Sequence, residues 1–210
     1  MLSTTTGESI DPSMYTRDVL DEPLGLSISG NIYKGFLERM HDLVEGGVVN
    51  AFEPLPYDWR FDVRDVVTSN IHLPNNASYR MTDRIEALAE ASQTGKVTLI
   101  THSNGGLVAK ELLSELVRLG KDNLVDRVIM VAAPELGTPE AMLLLLHGTA
   151  FFLGLPSRTV TRELGENMKS AYALLPSREY FSRLGAPTIR PLIEFATTTT
   201  VTETFRNTYG

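Results

Sequence analysis

Cysteine is absent from these 210 residues. Disulfides and thiolate metal sites are therefore excluded, although the compartment stays open, since a secreted bacterial protein can also lack cysteine. Positive charge is in deficit: 19 Lys and Arg stand against 26 Asp and Glu, a formal net charge of −7. With no clustered Lys/Arg stretch, a nucleic-acid surface is not expected. Long apolar runs are missing too. The longest, Ala141 to Leu155, is interrupted by His147, Gly148, Thr149 and Gly154 and falls short of the ~20 residues that span a bilayer. The opening MLSTTTGESI lacks the basic start and apolar stretch of a signal peptide, which says nothing of a parent protein if the sequence is an internal piece. No Walker loop, dinucleotide glycine fingerprint or metal-ligand cluster is found, so neither cofactor nor metal is expected. Histidine is rare: there are four, and only His147 follows residue 103.

What is present reads as one globular domain. Apolar residues at 42% and charged residues at 21% are ordinary values, and the length suffices for one sizeable core. Residues 1–23 form a poorly ordered lead-in and 24–210 a partial domain; the Thr197–Thr200 run is also weakly globular. Asn31 to Glu45 is a predicted helix, with Ile32, Phe36, Leu37, Met40 and Val44 at helical spacing and Gly46-Gly47 as its stop. Val48 to Phe52 is a predicted strand, ended by Pro54 and Pro56. Thr82 to Ala91 is a second helix facing the core through Ile85, Leu88 and Ala89, and strand Val97–Ile100 follows Gly95. Asn104 to Leu119 is a third helix, burying Leu107, Val108, Leu112, Leu116 and Leu119, with Gly120 as its C-cap signal. The apolar strand Val125–Ala132 suits a position covered on both faces. The alternation of helix and strand predicts an α/β class with a parallel sheet and helices on both faces. From Gly137 to Arg183 the pattern turns to helical pieces, with no strand until Thr188–Ala196. This excursion, about 138–185, is either a helical lid, with Leu143–Leu146 and Phe151-Phe152 exposed to a lipid interface, or a set of helices covering a sheet edge.

The chemistry centres on Thr101-His102-Ser103-Asn104-Gly105. A β-favouring run enters a tight turn and a helical pattern leaves it. This is the strand–nucleophile–helix layout of an α/β-hydrolase elbow, G-x-S-x-G with threonine in place of the first glycine. The strained turn projects the serine oxygen, and small neighbours let strand and helix approach. Ser103 is the candidate nucleophile and the backbone N–H of Asn104 the candidate oxyanion donor, aided by the helix N-terminus. The competing reading is an ordinary serine N-cap. A second donor belongs on an earlier loop; Leu24 to Gly30 is a weak candidate.

A base and an acid are harder to find. His102 neighbours the nucleophile but is expected to pack beneath the elbow. His147 reaches Ser103 only if the lid folds over it. His41 and His72 precede the serine, against this fold's chain order, and read as surface or capping residues. Glu135 follows a strand end, as an acid or a solvated loop residue; Asp122 and Asp126 lie at the wrong end of a parallel sheet. Asp58-Trp59-Arg60 holds the only tryptophan. It either lines the substrate pocket with Gly105, or buries the Trp behind an Asp–Arg pair that fixes the loop.

Four segments together resemble the lecithin:cholesterol acyltransferase family and related bacterial lipase-like α/β-hydrolases: Tyr57-Asp58-Trp59-Arg60, His102 to Ala109, Ala133 to Pro139, and Ser170 to Ser177. The resemblance covers roughly residues 30–185. It implies ester hydrolysis or acyl transfer on lipid substrates through an acyl-serine intermediate without a cofactor, with Ser103 as nucleophile and Asn104 as oxyanion donor. The family's catalytic Asp and His are expected beyond about residue 200 and its glycine-rich oxyanion loop before residue 30, so the sequence reads as a fragment. Two functions follow: a serine esterase or O-acyltransferase whose Asp and His lie outside this chain, or a non-catalytic relative that binds a lipid or protein partner.

Overall fold

Two strands and the helix between them organise the molecule. In the computed structural model, which describes residues 2, 8–11, 13–19, 32–148 and 157–183, strand β3 (Val97–His102) pairs in parallel with β4 (Val125–Val131). Helix α4 (Gly105–Arg118) crosses between them, as a parallel pair requires. Val108, Ala109, Leu112 and Leu116 form its buried stripe, spaced to fall on one helical face. It closes with Gly120 N–H donating to Val117 O and Lys121 N–H to Leu116 O, the paired bonds of a Schellman end.

The core lies on one side of that pair. Val66 and Val67 come from α2 (Val63–Thr68), Ile71 from β1 (Ile71–His72), Met81 and Ile85 from α3 (Met81–Ala91), and Leu99 from β3. Asp62 starts α2 by accepting the Arg64 N–H at 2.9 Å. β1 pairs antiparallel with β2 (Ser78–Tyr79). Neither α2 nor this short hairpin was expected from the pattern. The described residues after β4 form four helices: α5 (Pro139–His147), α6 (Arg158–Glu166), α7 (Lys169–Ala173) and α8 (Arg178–Arg183). The predicted helical pieces are thus present, and no strand occurs among the described residues of that stretch.

Several expectations need correction. The first helix, α1 (Lys34–Glu45), buries none of its residues fully. Ile32 and Phe36 are exposed, while Leu37, Met40 and Val44 are half-buried. Val48 to Phe52 is not a strand: the Val48 and Val49 N–H groups both donate to Leu43 O. The apolar run therefore closes a helix instead of joining a ladder. Leu119 is 40% exposed, because the helix ends before it turns inward. Strand β4 is not covered on both faces by the described residues. Ile129 and Val131, opposite Ile100 and His102, are 43% and 49% exposed, since α4 packs only on the other face. The boundary at Asn31, the Leu24–Gly30 loop, Phe151-Phe152, strand Thr188–Ala196 and the ending Thr204–Gly210 lie outside the described residues.

Candidate active site at the strand ends

Sequence neighbours force Ser103 into an uncommon backbone. It follows β3 directly and precedes α4 by one residue, so the chain must reverse within two peptides. The solution is φ +51 at Ser103, a left-handed value that costs a non-glycine residue of order 1–3 kcal/mol. The turn is held from below: Ser103 N–H donates to Val131 O at 3.0 Å, and Ser103 O accepts Gly106 N–H at 3.0 Å. The side chain above is exposed. This geometry is that of a projecting elbow and not of a serine inside a helix.

The neighbouring strand makes the same turn. Ala132, one step past the His102–Val131 register pair, has φ +50. Both parallel strands thus leave the sheet at their C-terminal ends, where ligands bind in open α/β sheets. Close approach is made possible by Gly106: a Cβ there would lie 2.4 Å from Ala133 Cβ.

The helix end above the elbow is electrically open. Asn104, the N-cap of α4, makes no side-chain cap bond, and the first turn carries no acid. The N-terminal partial positive charge of a 14-residue helix is therefore not neutralised by its own residues. An anion placed at this helix end would meet that field.

The four segments singled out in the sequence meet around this turn. Tyr57 Oη lies 4.0 Å from where a Gly105 Cβ would sit. Glu135 Oε2 accepts from Lys110 Nζ of α4 at 2.8 Å. Leu136 O accepts Ser177 N–H, and Thr138 N–H donates to Leu174 O, both at 2.8 Å. Ser170 N–H donates to Arg60 O at 3.4 Å. Gly137 is the crossing point between the last two segments. Its φ is +86, and an added Cβ would sit 2.2 Å from Leu175 O.

Asp58 and Arg60 are occupied with each other. Arg60 Nε donates to both Asp58 oxygens at 2.9 and 3.1 Å, and Nη2 to Oδ2 at 2.5 Å, with the side chains 12% and 24% exposed. Burial of the pair matches the loop-fixing alternative, but Trp59 is 60% exposed instead of buried. Turning residues 58 and 60 inward leaves the one between them outward. Gly105 opens α4 beside Thr101 Cβ. A crevice of about 470 Å³ is lined by Ala133, Pro134, Glu135, Leu136, Gly137, Tyr180 and Arg183. None of Asp58, Trp59, Arg60 or Gly105 lines it.

All four histidines are described, and among the described residues none hydrogen-bonds Ser103. His102 does not pack beneath the elbow: it is exposed, and its Nδ1 lies 2.7 Å from Tyr33 Oη. An even-numbered β3 position faces away from α4, so the ring turns toward Tyr33 at the start of α1. His147 ends α5, exposed. His41 lies edge-on to Phe52 and His72 is exposed on β1. Glu135 is an ion-paired residue, not a free acid. Among the described residues no group of three His, Cys, Asp or Glu could hold a metal.

Tyr57 and Tyr33 carried no periodic signal and were not singled out individually. Tyr57 stands in the sequence only as the first residue of the Tyr57-Asp58-Trp59-Arg60 segment. A family model described as Lecithin:cholesterol acyltransferase matches residues 18–208. No curated protein matches the chain.

Proposed function

Because the chain belongs to the lecithin:cholesterol acyltransferase family, whose members are α/β-hydrolase-like acyltransferases and esterases acting on lipid esters, we propose that Ser103 is the nucleophile of a serine acyl hydrolase or O-acyltransferase. The observation that carries this is the exposed Ser103 at φ +51, between a parallel strand and an uncapped helix end. Ser103 Oγ attacks the acyl carbonyl as a base removes its proton. The ester C–O bond breaks, the alcohol leaves with that proton, and an acyl-serine remains. Water or a second alcohol then takes the acyl group. The Asn104 N–H stabilises the oxyanion at both stages.

The base is assigned outside these 210 residues, because His102 is engaged by Tyr33 and none of the described histidines is hydrogen-bonded to Ser103. Residues 24–210 constitute a partial domain in this reading, with 138–185 as the lid. Leu143 and Leu146, 51% and 58% exposed on α5, support a lipid-facing role for it. Among the described residues no helix is long and apolar enough to cross a membrane. The unsupplied base favours a second reading, a non-catalytic relative that binds a lipid or protein partner.

Turnover of a p-nitrophenyl ester by this chain, by a version extended through a downstream Asp and His, and by the extended Ser103→Ala variant separates the two. This chain should show at most the ~10³–10⁴-fold residual acceleration of a site lacking its triad partners. The extended protein should gain several orders of magnitude, and Ser103→Ala should abolish the gain. Ser103-independent or absent turnover in the extended protein selects the binding relative; full activity in the short chain reveals a base within it.

A further inference from the structure

A serine in a left-handed turn persists where its surroundings over-determine it. At Ser103 two backbone bonds do part of this, from its N–H to Val131 O and to its O from Gly106 N–H. The close fit of Gly106 against Ala133 holds the α4 side. The opposite face of β3 is open among the described residues. Thr98, Ile100 and His102 alternate onto it, and Ile100 and its register partner Ile129 are exposed. His102 is the last residue of β3 and the one before Ser103. Packing on that open face does not hold it, so its support must come from elsewhere.

Tyr33 supplies that support. Its Oη lies 2.7 Å from His102 Nδ1, and the two rings meet edge-on with centroids 5.6 Å apart at 73°. A hydrogen bond and a ring contact together restrain both torsions of the His102 side chain. A phenol O–H is a good donor and a neutral imidazole nitrogen a good acceptor, so Nδ1 accepts and the ring proton resides on Nε2. The tyrosine is itself anchored. It is the N-cap of α1, and its O accepts the Leu37 N–H at 2.9 Å. Helix α1 leans on Phe52, which meets Phe36 and His41 edge-on at 6.0 and 5.8 Å. Two residues before Phe52, Asn50 Nδ2 donates to Ala91 O, at the end of α3, at 3.0 Å. A continuous line of contacts thus runs from α3, whose Ile85 belongs to the core, through α1 to the residue before the nucleophile.

We propose that Tyr33 is a positioning residue: by holding His102 it braces the C-terminal end of β3 on the face that α4 leaves open, and so keeps Ser103 in its left-handed turn. This deepens the proposed function and rests on its assignment of Ser103 as the nucleophile. The physical reason is leverage. His102 and Ser103 share one planar peptide, so any rotation of the His102 backbone turns the Ser103 N–H and swings its side chain. A loosened His102 widens the range of positions open to Ser103 Oγ. A misplacement of about 1 Å is enough to cost ~10²-fold in rate.

The test uses Tyr33→Phe, which keeps the ring and removes the hydroxyl. In the ¹⁵N-labelled 210-residue chain the wild-type His102 ring should show one tautomer, with its proton on Nε2. Tyr33→Phe should return it to a mixture of both and shift the Ser103 and Asn104 backbone amides, leaving core amides such as Ile85 and Leu116 in place. In the extended, Ser103-dependent enzyme Tyr33→Phe should lower kcat by roughly 3- to 10-fold with KM unchanged, a fraction of the full misplacement cost. His102→Leu should lose as much and the double variant no more, because each change removes the same contact. His102→Asn, whose Oδ1 can accept from Tyr33 in place of Nδ1, should keep most of the activity. That rescue keeps the test decisive if His102→Leu folds poorly. A tautomer that ignores Tyr33→Phe, an unchanged kcat, or additive losses in the double variant overturns the proposal. Turnover that does not require Ser103 overturns the assignment of the nucleophile instead, and the Ser103 amide shift in Tyr33→Phe then decides the brace.

Discussion

Gly106 shows how much a single atom can matter at this turn. It is buried in the first turn of α4, and a Cβ there would lie 2.4 Å from Ala133 Cβ and 3.5 Å from Met130 Sδ. Alanine ordinarily favours a helix over glycine by up to about 1 kcal/mol. Here the overlap decides against it, because the obstacle is a Cβ fixed to the backbone two residues past β4 and not a flexible tip. Gly106→Ala should therefore lose about 1–2 kcal/mol net, near the low end of overpacking costs, and lower the thermal midpoint by several degrees. Adding Ala133→Gly removes the opposing methyl and should restore part of the loss; calorimetry of the single and double variants measures the coupling. Two additive losses would mean that the helix and strand do not meet through these two residues. The glycine was legible in the sequence as part of a motif, but its partner was not, since residues 27 apart carry no local signal of contact.

Helix α4 shows what an element adds to its residues. Its start at Asn104, its stop at Gly120 and three of its buried residues, Val108, Leu112 and Leu116, were readable from spacing and end signals, whereas Leu107 is half-buried and Leu119 exposed. Among the buried members that spacing did not mark is Glu115, whose side chain is 10% exposed beside an exposed Arg118. Arg118 donates to both Glu115 oxygens at 2.6 and 2.7 Å, and these bonds hold the Glu115 carboxyl below its ordinary value. A carboxyl lowered on folding adds stability above its unfolded pKa, and that contribution is lost as the pH falls through the folded value. Glu115→Gln should therefore be less stable than the natural chain near pH 7, and the gap should close on acidification below pH ~4. Urea midpoints at several pH values check this. A gap that stays constant with pH would mean that the carboxylate charge contributes nothing. The strand prediction at Val48–Phe52 failed on this same scale. A short apolar run suits a strand or a helix end equally, and only the location of its N–H partners decides.

The whole molecule is tied together at Arg60. Its guanidinium holds Asp58, reaches Ser9 Oγ at 3.3 Å, and lies 3.6 Å from Met14 Sδ; its carbonyl accepts Ser170 N–H. One residue thus joins the N-terminal segment, the loop beside the elbow and α7. Arg60→Met keeps much of the volume but leaves the half-buried Asp58 carboxylate without its cation. A loss of about 1–3 kcal/mol is expected, below the 3–5 of a fully buried pair because Asp58 retains some access to water. Trp59, the only tryptophan, reports the change directly: its fluorescence anisotropy should fall as the loop is released. Unchanged anisotropy would show that the pair does not hold this loop. At this scale the sequence by itself determined a parallel strand pair with a helix between, the serine at the turn and the four segments that mark the family. Periodicity and short motifs are local, and these features are spelled by adjacent residues. Only the tertiary structure decided that those four segments converge on one turn, that Asp58 and Arg60 face inward while Trp59 faces out, and that His102 turns to Tyr33 instead of packing below Ser103. Each of these depends on which distant backbone or side chain fills the space beside a residue, and that follows from how the helices close on the sheet.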